Sequence, residues 1–224
     1  MKLTGVIFDM NGVIIDDYPL QREAWNQMSV KLRGLPVTDD EMVNNIRGIP
    51  TREIIKWMTG GALSDQVDKL AREKDGLIND LFATSPLFFL NMGLEEFLNQ
   101  LKLLKIPITI ATSSTQTIFS FTYNKLRLNR WFSPDKILFN DGTYPGKPAP
   151  DPYIKAAKLI NLDPAECYVI EDAKSGIQSA FAAGVRNIIA IGNDERLAVV
   201  GKLPGVVRTI HNFNEIKAEE LFNG

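Results

Sequence analysis

Four places in the chain carry side chains suited to moving a phosphoryl group: Asp9, the run Thr112-Ser113-Ser114, Lys147, and the pair Glu171-Asp172. A carboxylate can attack phosphorus and form an aspartyl-phosphate, which splits one difficult displacement into two. Charge then develops on the equatorial oxygens, so cations and hydrogen-bond donors must be aimed at them. Lys147 offers a point charge, and the Thr112 hydroxyl with nearby main-chain N–H groups offers donors. Asp9 and Asp172 can hold Mg2+, a hard cation that takes oxygen ligands and keeps waters for the substrate. Each residue alone has an ordinary explanation. Asp9 can open a turn, Thr112 can cap a helix, Lys147 can be solvated in its Pro-rich loop, and Glu171-Asp172 can charge a helical first turn. All four together, each after an apolar strand or in a loop before a helix, are poorly explained by coincidence.

The elements needed to position them are readable. Val6-Ile7-Phe8 is a short apolar run that ends at Asp9 and is followed by Gly12, the pattern of a buried central strand. Ligands of open parallel sheets bind outside the carboxyl ends of the strands, which puts Asp9 at the lip of a crevice. From Asp16 to about Pro86 the chain reads as helical. A helix opens at Asp16-Asp17-Tyr18-Pro19 and ends at Gly34, with its acidic start and Lys31/Arg33 end suiting the helix dipole. Thr38 looks like an N-cap. Thr51 is expected to cap the helix carrying Ile54, Ile55, Trp57 and Met58, which Gly60-Gly61 stops. Ser64 through Phe82 gives another helix.

From Leu87 strands alternate with helices, the sign of βαβ units. Helices are expected at Gly93–Leu104, at about Thr115–Leu126, from Pro150 through Ile160, and at Ser175–Ala183. Strands are expected at 107–111, 137–139, 167–170, 187–191 and 205–207. The expected fold is α/β, a parallel sheet flanked by helices, with residues 1–15 and 87–224 as the core domain and 16–86 as an inserted helical cap.

Composition narrows the function classes. The 224 residues carry a net charge of −2, with 45% hydrophobic and 23% charged residues, an ordinary globular balance. That charge gives no footprint for nucleic acid or an anionic membrane. One cysteine and one histidine leave little for a disulfide framework, a His-rich metal site or a Ser-His-Asp triad. No apolar stretch approaches a membrane span, and the expected location is the cytoplasm.

The chain resembles the haloacid dehalogenase (HAD) superfamily and, within it, the β-phosphoglucomutase-like phosphatases with a helical cap. The likeness runs nearly end to end, through Asp-x-x-Gly-Val at 9–13, Ala-Thr-Ser-Ser at 111–114, Gly-Lys-Pro-Ala-Pro-Asp-Pro-Tyr at 146–153 and Ile-Glu-Asp-Ala-Lys-Ser-Gly-Ile at 170–177. The resemblance implies a HAD-like Rossmannoid core. It makes Asp9 the nucleophile and Thr112 the phosphate donor, with Met10, Ser113 and Ser114 beside the phosphate, and Lys147 orienting the transferring group. Asp172, with Glu171, would hold Mg2+, which also takes the backbone carbonyl of Asn11. Cap residues Gln21, Arg47, Gly48, Thr51 and Arg52 fit the substrate-contact positions loosely.

Two departures stand out. Position 11 is a second aspartate in the family pattern, the general acid/base; here it is Asn11, whose amide can hydrogen-bond but cannot exchange a proton. Loss of such help costs roughly 10²–10⁴ in rate, so Asn11→Asp is expected to raise turnover at least about tenfold. Gln21 stands where relatives often have histidine. The leading expectation is a Mg2+-dependent phosphatase or phosphotransferase acting on a small phosphorylated metabolite, working as a monomer and impaired by Asn11. A catalytically weak or inactive phosphate-ligand binding protein and a β-phosphoglucomutase-like sugar-phosphate mutase are the alternatives.

Overall fold

Alternating apolar strands and amphipathic helices build a five-stranded, all-parallel sheet in the computed structural model, which describes residues 4–222. The strands are β1 (Gly5–Phe8), β2 (Ile108–Ile110), β3 (Cys167–Glu171), β4 (Asn187–Ile191) and β5 (Val206–Ile210), in the order β2-β1-β3-β4-β5. Successive strand residues point to opposite faces. Val6, Phe8, Ile170 and Ile189 enter one hydrophobic cluster, while Ile7, Val169 and Ile188 enter the other. Helices cover both faces, as a parallel sheet requires: α5 (Leu94–Leu103), α6 (Gln116–Lys125), α7 (Asp151–Leu159), α8 (Lys174–Ala182), α9 (Asp194–Val200) and α10 (Ala218–Phe222). The order runs outward from β1 in one direction to β2 and in the other to β3. That reversal opens a crevice at the carboxyl ends of β1 and β3.

Between β1 and β2 the chain is helical: α1 (Tyr18–Arg33), α2 (Asp39–Glu41) running into a wide turn at Met42–Ile46, α3 (Thr51–Met58) and α4 (Val67–Thr84). These helices share a cluster of their own, with Trp25, Met28, Ile54, Ile55, Leu70 and Ala71 among its members. α1 stops at Gly34, whose φ of 77° lets its N–H reach the Val30 carbonyl. Thr38 and Glu41 form a reciprocal capping box. The two strands of chain joining this unit to the sheet lie side by side: Ile15 and Leu90 form an antiparallel bridge, and Asn91 N–H donates to the Ile14 carbonyl at 2.8 Å.

Several local expectations are corrected. Thr51 is the first residue of α3 rather than its cap, because Pro50 occupies that position and no side chain caps the helix. α1 has no acidic residue in its first turn. Ser64–Gln66 is a separate 3-10 turn, and α4 runs on to Thr84. Residues 137–139 do not form a strand: Leu138 makes a single bridge to Ala111, held by Thr112 N–H to Leu138 O and Leu138 N–H to Ile110 O. The 3-10 turn at Pro134–Lys136 and the turn beginning at Asn140 leave no length for more. Among the described residues no helix is long and apolar enough to cross a membrane.

Candidate active site

Sheet register assembles the floor of the site. Phe8 pairs with Ile170 on one side and Ile110 on the other, so Asp9, Glu171-Asp172 and Thr112 emerge together at one edge. Lys147 arrives from the loop before α7 and is 1% exposed. Its Nζ lies 2.6 Å from Asp9 Oδ1 and 2.7 Å from Glu171 Oε1. Glu171 is saturated with donors: Lys147 and the Tyr153 hydroxyl (2.8 Å) on Oε1, and the N–H groups of Asp172 and Ala173 on Oε2. A buried charge is tolerable only when paired in this way. Glu171 thereby fixes the ammonium beneath Asp9.

The same edge fits a divalent cation. Asp9, Glu171 and Asp172 each bring one carboxylate oxygen to within 4.8 Å of the others. The donors are all oxygen, which suits Mg2+. Because Glu171 already has four donors, the less committed oxygens are those of Asp9 and Asp172. Gly12, at φ 84°, makes room: a Cβ there would fall 2.1 Å from Asp172 Oδ2. Burial raises the carboxyls of both Asp9 and Asp172, with Lys147 pulling the first down and Arg47 and Arg196 the second. For Lys147 burial works against the charge, but the Asp9 and Glu171 carboxylates beside it prevail and its pKa is raised.

Above the floor is a cleft of about 710 Å³, counting its open mouth, between the sheet edge and the helical unit. Its core wall includes Asp9, Asn11, Thr112, Ser113, Ser114 and Asp172; its cap wall includes Gln21, Arg47, Gly48 and Thr51. The Thr112 hydroxyl accepts from Ser114 N–H, and Ser114 Oγ donates to Asn11 Oδ1 at 2.7 Å. The two walls are clasped together. Ser113 Oγ donates to the Gly48 carbonyl (2.9 Å), Ser175 Oγ to the Arg47 carbonyl (3.0 Å), and Thr115 Oγ1 to Asp75 Oδ2 (2.5 Å). Gly48 has φ 72°, and a Cβ there would lie 2.3 Å from Ser175 Oγ, so this close approach needs glycine.

Two expected contacts fall elsewhere. Met10 is fully buried in the main hydrophobic cluster, so only its backbone can serve the site. Arg52 points away from the cleft and pairs with Asp68 at 2.6 Å on the surface. Thr51 and Arg52 are adjacent on one helix, so their side chains diverge by about 100°.

Four cleft-side residues escaped the sequence reading. Tyr18 takes the Arg47 guanidinium over its ring at 4.5 Å. Arg196, on α9, and Arg47 each place a nitrogen 3.4 Å from Asp172 Oδ2. Lys74 is buried on α4, donates to Gln21 Oε1 at 2.6 Å, and is lowered by burial to about 8. Its signal was present, since it sits at helical spacing with Leu70, Ala71 and Ile78 on the apolar stripe. Asp17 accepts from both Asn11 Nδ2 (2.5 Å) and Gln21 Nε2 (2.7 Å). Its role as an apparent helix-opening acid concealed it.

Comparison with known proteins agrees with this geometry. The sequence profile of the haloacid dehalogenase-like hydrolases matches residues 6–190. A phosphorylated carbohydrates phosphatase of Thermotoga maritima is 30% identical over 194 residues, covering 84% of this chain and 85% of its own. The fructose-1-phosphate phosphatase YqaB of Escherichia coli is 30% identical over 192 residues, covering 82% of this chain and 94% of its own. A HAD hydrolase of family IA, variant 3, from Entamoeba histolytica superposes with a TM-score of 0.88 at 36% identity, over 99% of this chain and 98% of that one. A β-phosphoglucomutase from Clostridium difficile shares the fold, with a TM-score of 0.76 at 24% identity, over 99% of this chain and 97% of that one. With a strand-end aspartate, a buried lysine and an acidic pair at one sheet edge, and the profile spanning most of its length, the chain belongs to the haloacid dehalogenase-like hydrolases.

Proposed function

We propose that the protein is a Mg2+-dependent phosphatase of small, sugar-like phosphorylated metabolites, working through an aspartyl-phosphate on Asp9 and acting as a single chain. The observation that carries this reading is the buried Asp9–Lys147–Glu171 arrangement, 2.6 and 2.7 Å across, at the floor of the cleft between the sheet and the helical unit. Relatives named for phosphorylated carbohydrates and fructose 1-phosphate support the substrate class. The lone cysteine, Cys167, is buried, which suits a reducing compartment such as the cytoplasm.

Bound at Asp9 and Asp172, Mg2+ supplies the positive charge that lets a phosphate dianion approach a carboxylate. Asp9 attacks phosphorus and receives the phosphoryl group. Lys147 Nζ, held in place by Glu171, neutralises charge on the transferring oxygens, and Thr112, Ser113 and Ser114 line the cleft beside them. Residues 16–86 serve as the cap over the core of 1–15 and 87–224. With the clasps made, Arg47, Thr51, Gln21 and Lys74 face the non-phosphate part of the substrate and water is kept from the reaction. Asn11 orients a neighbouring oxygen but cannot exchange a proton with it.

Phosphate release from a panel of hexose phosphates, with and without Mg2+, tests the reading. Asp9→Ala is expected to abolish both turnover and acid-quenched phospho-enzyme. Turnover that persists in that variant removes Asp9 from its role. Hexose phosphates that raise the melting temperature of the unaltered protein without being consumed identify a binding protein instead.

A further inference from the structure

Lys74, on α4, is buried to 3% exposure, and it lines the cleft whose floor holds Asp9. A charge in such a place is ordinarily met by an opposite one, because an unpaired buried ion is costly. Among the described residues no carboxylate pairs with it. Its one hydrogen-bond acceptor is the neutral amide oxygen of Gln21 at 2.6 Å, and the Trp25 ring centroid lies 5.0 Å from Nζ. The two nearby carboxylates are engaged elsewhere. Asp75, its neighbour on α4, accepts from Thr115 across the cap boundary. Asp17, the N-cap residue of α1, accepts from the Asn11 and Gln21 amides and makes no cap bond to its own helix. Burial outweighs the pull of both and lowers the Lys74 pKa to about 8. An ammonium has three donors, and only one of these has a partner. The same cleft is lined by Trp25, Met42, Ile46, Ile54 and Ile118, each no more than 4% exposed, so little else there can answer a charge.

We infer that Lys74 receives a carboxylate carried by the substrate at the end away from its phosphate, which makes the preferred substrate a phosphorylated sugar acid or related hydroxy acid rather than a neutral sugar phosphate. The inference rests on the phosphatase reading and narrows its substrate class. The cleft then has a cation at each end: Lys147 at the floor, beside Asp9, and Lys74 on the cap wall. Lys74 stands three hydrogen bonds from Asn11, by way of Gln21 and Asp17. Of the two cap-wall cations, Arg47 already has the Asp172 carboxylate 3.4 Å away, and Lys74 is the one without a counter-charge. A carboxylate only accepts, which matches a group that only donates. A hydroxyl in the same place would take the hydrogen bond and leave the charge unanswered. A second phosphate fits less well, since a dianion would face a single ammonium in apolar surroundings.

Two phosphates that differ in one group test the assignment. 6-Phosphogluconate and glucitol 6-phosphate share an open six-carbon chain, and the first has a carboxylate where the second has a hydroxymethyl group. For phosphate release in Mg2+, kcat/KM is expected to favour the acid by about 10–100-fold, the worth of a hydrogen bond to a charged group. Lys74→Met keeps the stem and drops the charge, and is expected to bring that ratio close to one. Lys74→Arg keeps the charge and should retain most of the preference. A purely structural role would lower both substrates together and leave the ratio where it was. Should Lys74→Met fold poorly, Lys74→Gln gives the same comparison. Fructose 1,6-bisphosphate against fructose 6-phosphate measures the worth of a second phosphate; a preference larger than that for the acid, and lost in Lys74→Met, overturns the carboxylate. A ratio near one in the unaltered protein, or a preference that Lys74→Met leaves untouched, overturns the assignment while leaving the phosphatase reading intact. If no phosphate is released from any of the four, the phosphatase reading itself falls. Calorimetric affinities of 6-phosphogluconate and glucitol 6-phosphate then decide, by the same ratio, whether Lys74 receives the carboxylate.

Discussion

The floor and the cap wall of this cleft are built by different rules. On the floor, Asp9, Lys147, Glu171 and Tyr153 are joined by contacts of 2.6–2.8 Å; strand pairing around β1 sets Asp9 and Glu171, and the loop before α7 and α7 itself bring Lys147 and Tyr153 to them. On the cap wall, Arg47, Thr51, Gln21 and Lys74 come from three helices and a turn, and each reaches the cleft by the direction of a helical side chain. Under the proposed function the floor would serve any phosphoryl group and the wall would decide which molecule carries it. Chemistry would then rest on residues fixed around the sheet, and selectivity on side chains that can change without disturbing it.

Three substitutions press on this contrast, in falling order of effect. Lys147→Ala leaves the Asp9 and Glu171 carboxylates facing each other without a cation. Breaking a buried pair costs about 3–5 kcal/mol, so both the melting temperature and phosphate release should collapse together. A normal melting temperature would show that the floor is not built around the ammonium. On the cap wall, Arg47→Ala should lower kcat/KM about 10–100-fold, the worth of one hydrogen bond to a charged group, with little change in melting temperature. Arg52→Ala, one turn of the same wall but facing Asp68, should leave kcat/KM unchanged. Equal effects of the two would erase the distinction between cleft and surface on the cap.

The smallest effect lies in the cap's own stability. Arg33 hydrogen bonds, with the Thr38 backbone N–H, lower the Glu41 pKa from 4.5 to about 2. A depressed folded-state pKa stabilises above the unfolded value and loses that contribution as pH falls from the unfolded pKa through the folded one. Melting temperature should therefore drop between about pH 5 and pH 2 by more in the unaltered protein than in Glu41→Gln, on a scale of about 1 kcal/mol or less. Turnover at neutral pH should be the same in both.

What sequence reading recovers follows the same division. The strand-end aspartate and the acidic pair are readable because each closes an apolar run and strand ends converge at one edge, whereas the lysine before α7 lies in a Pro-rich loop and is readable only through its Gly-Lys-Pro-Ala-Pro-Asp-Pro-Tyr setting at 146–153. Residues 137–139 were over-read because an apolar triplet carries no sign of how much partner strand remains available. On the cap, Thr51 and Arg52 were taken together, although a helix turns them apart. Arg196 was missed because α9 was not read as a helix and because Asp172, which it faces, lies 24 positions earlier. Asp17 was visible as an acid and misread in purpose, since only the packed structure shows that α1 declines its cap.

The pairing of Ile15 with Leu90, and of Asn91 with Ile14, bears on how substrate gets in. Outgoing and returning chain are tied at one spot, which under the proposed function is where a tilt of the helical unit would bend. The contacts such a tilt must break are more than the three hydroxyl clasps: Leu20, Ala24, Ile78 and Phe82 are packed into the main core cluster and Arg47 pairs with Asp172, so opening the cleft costs apolar burial as well as hydrogen bonds.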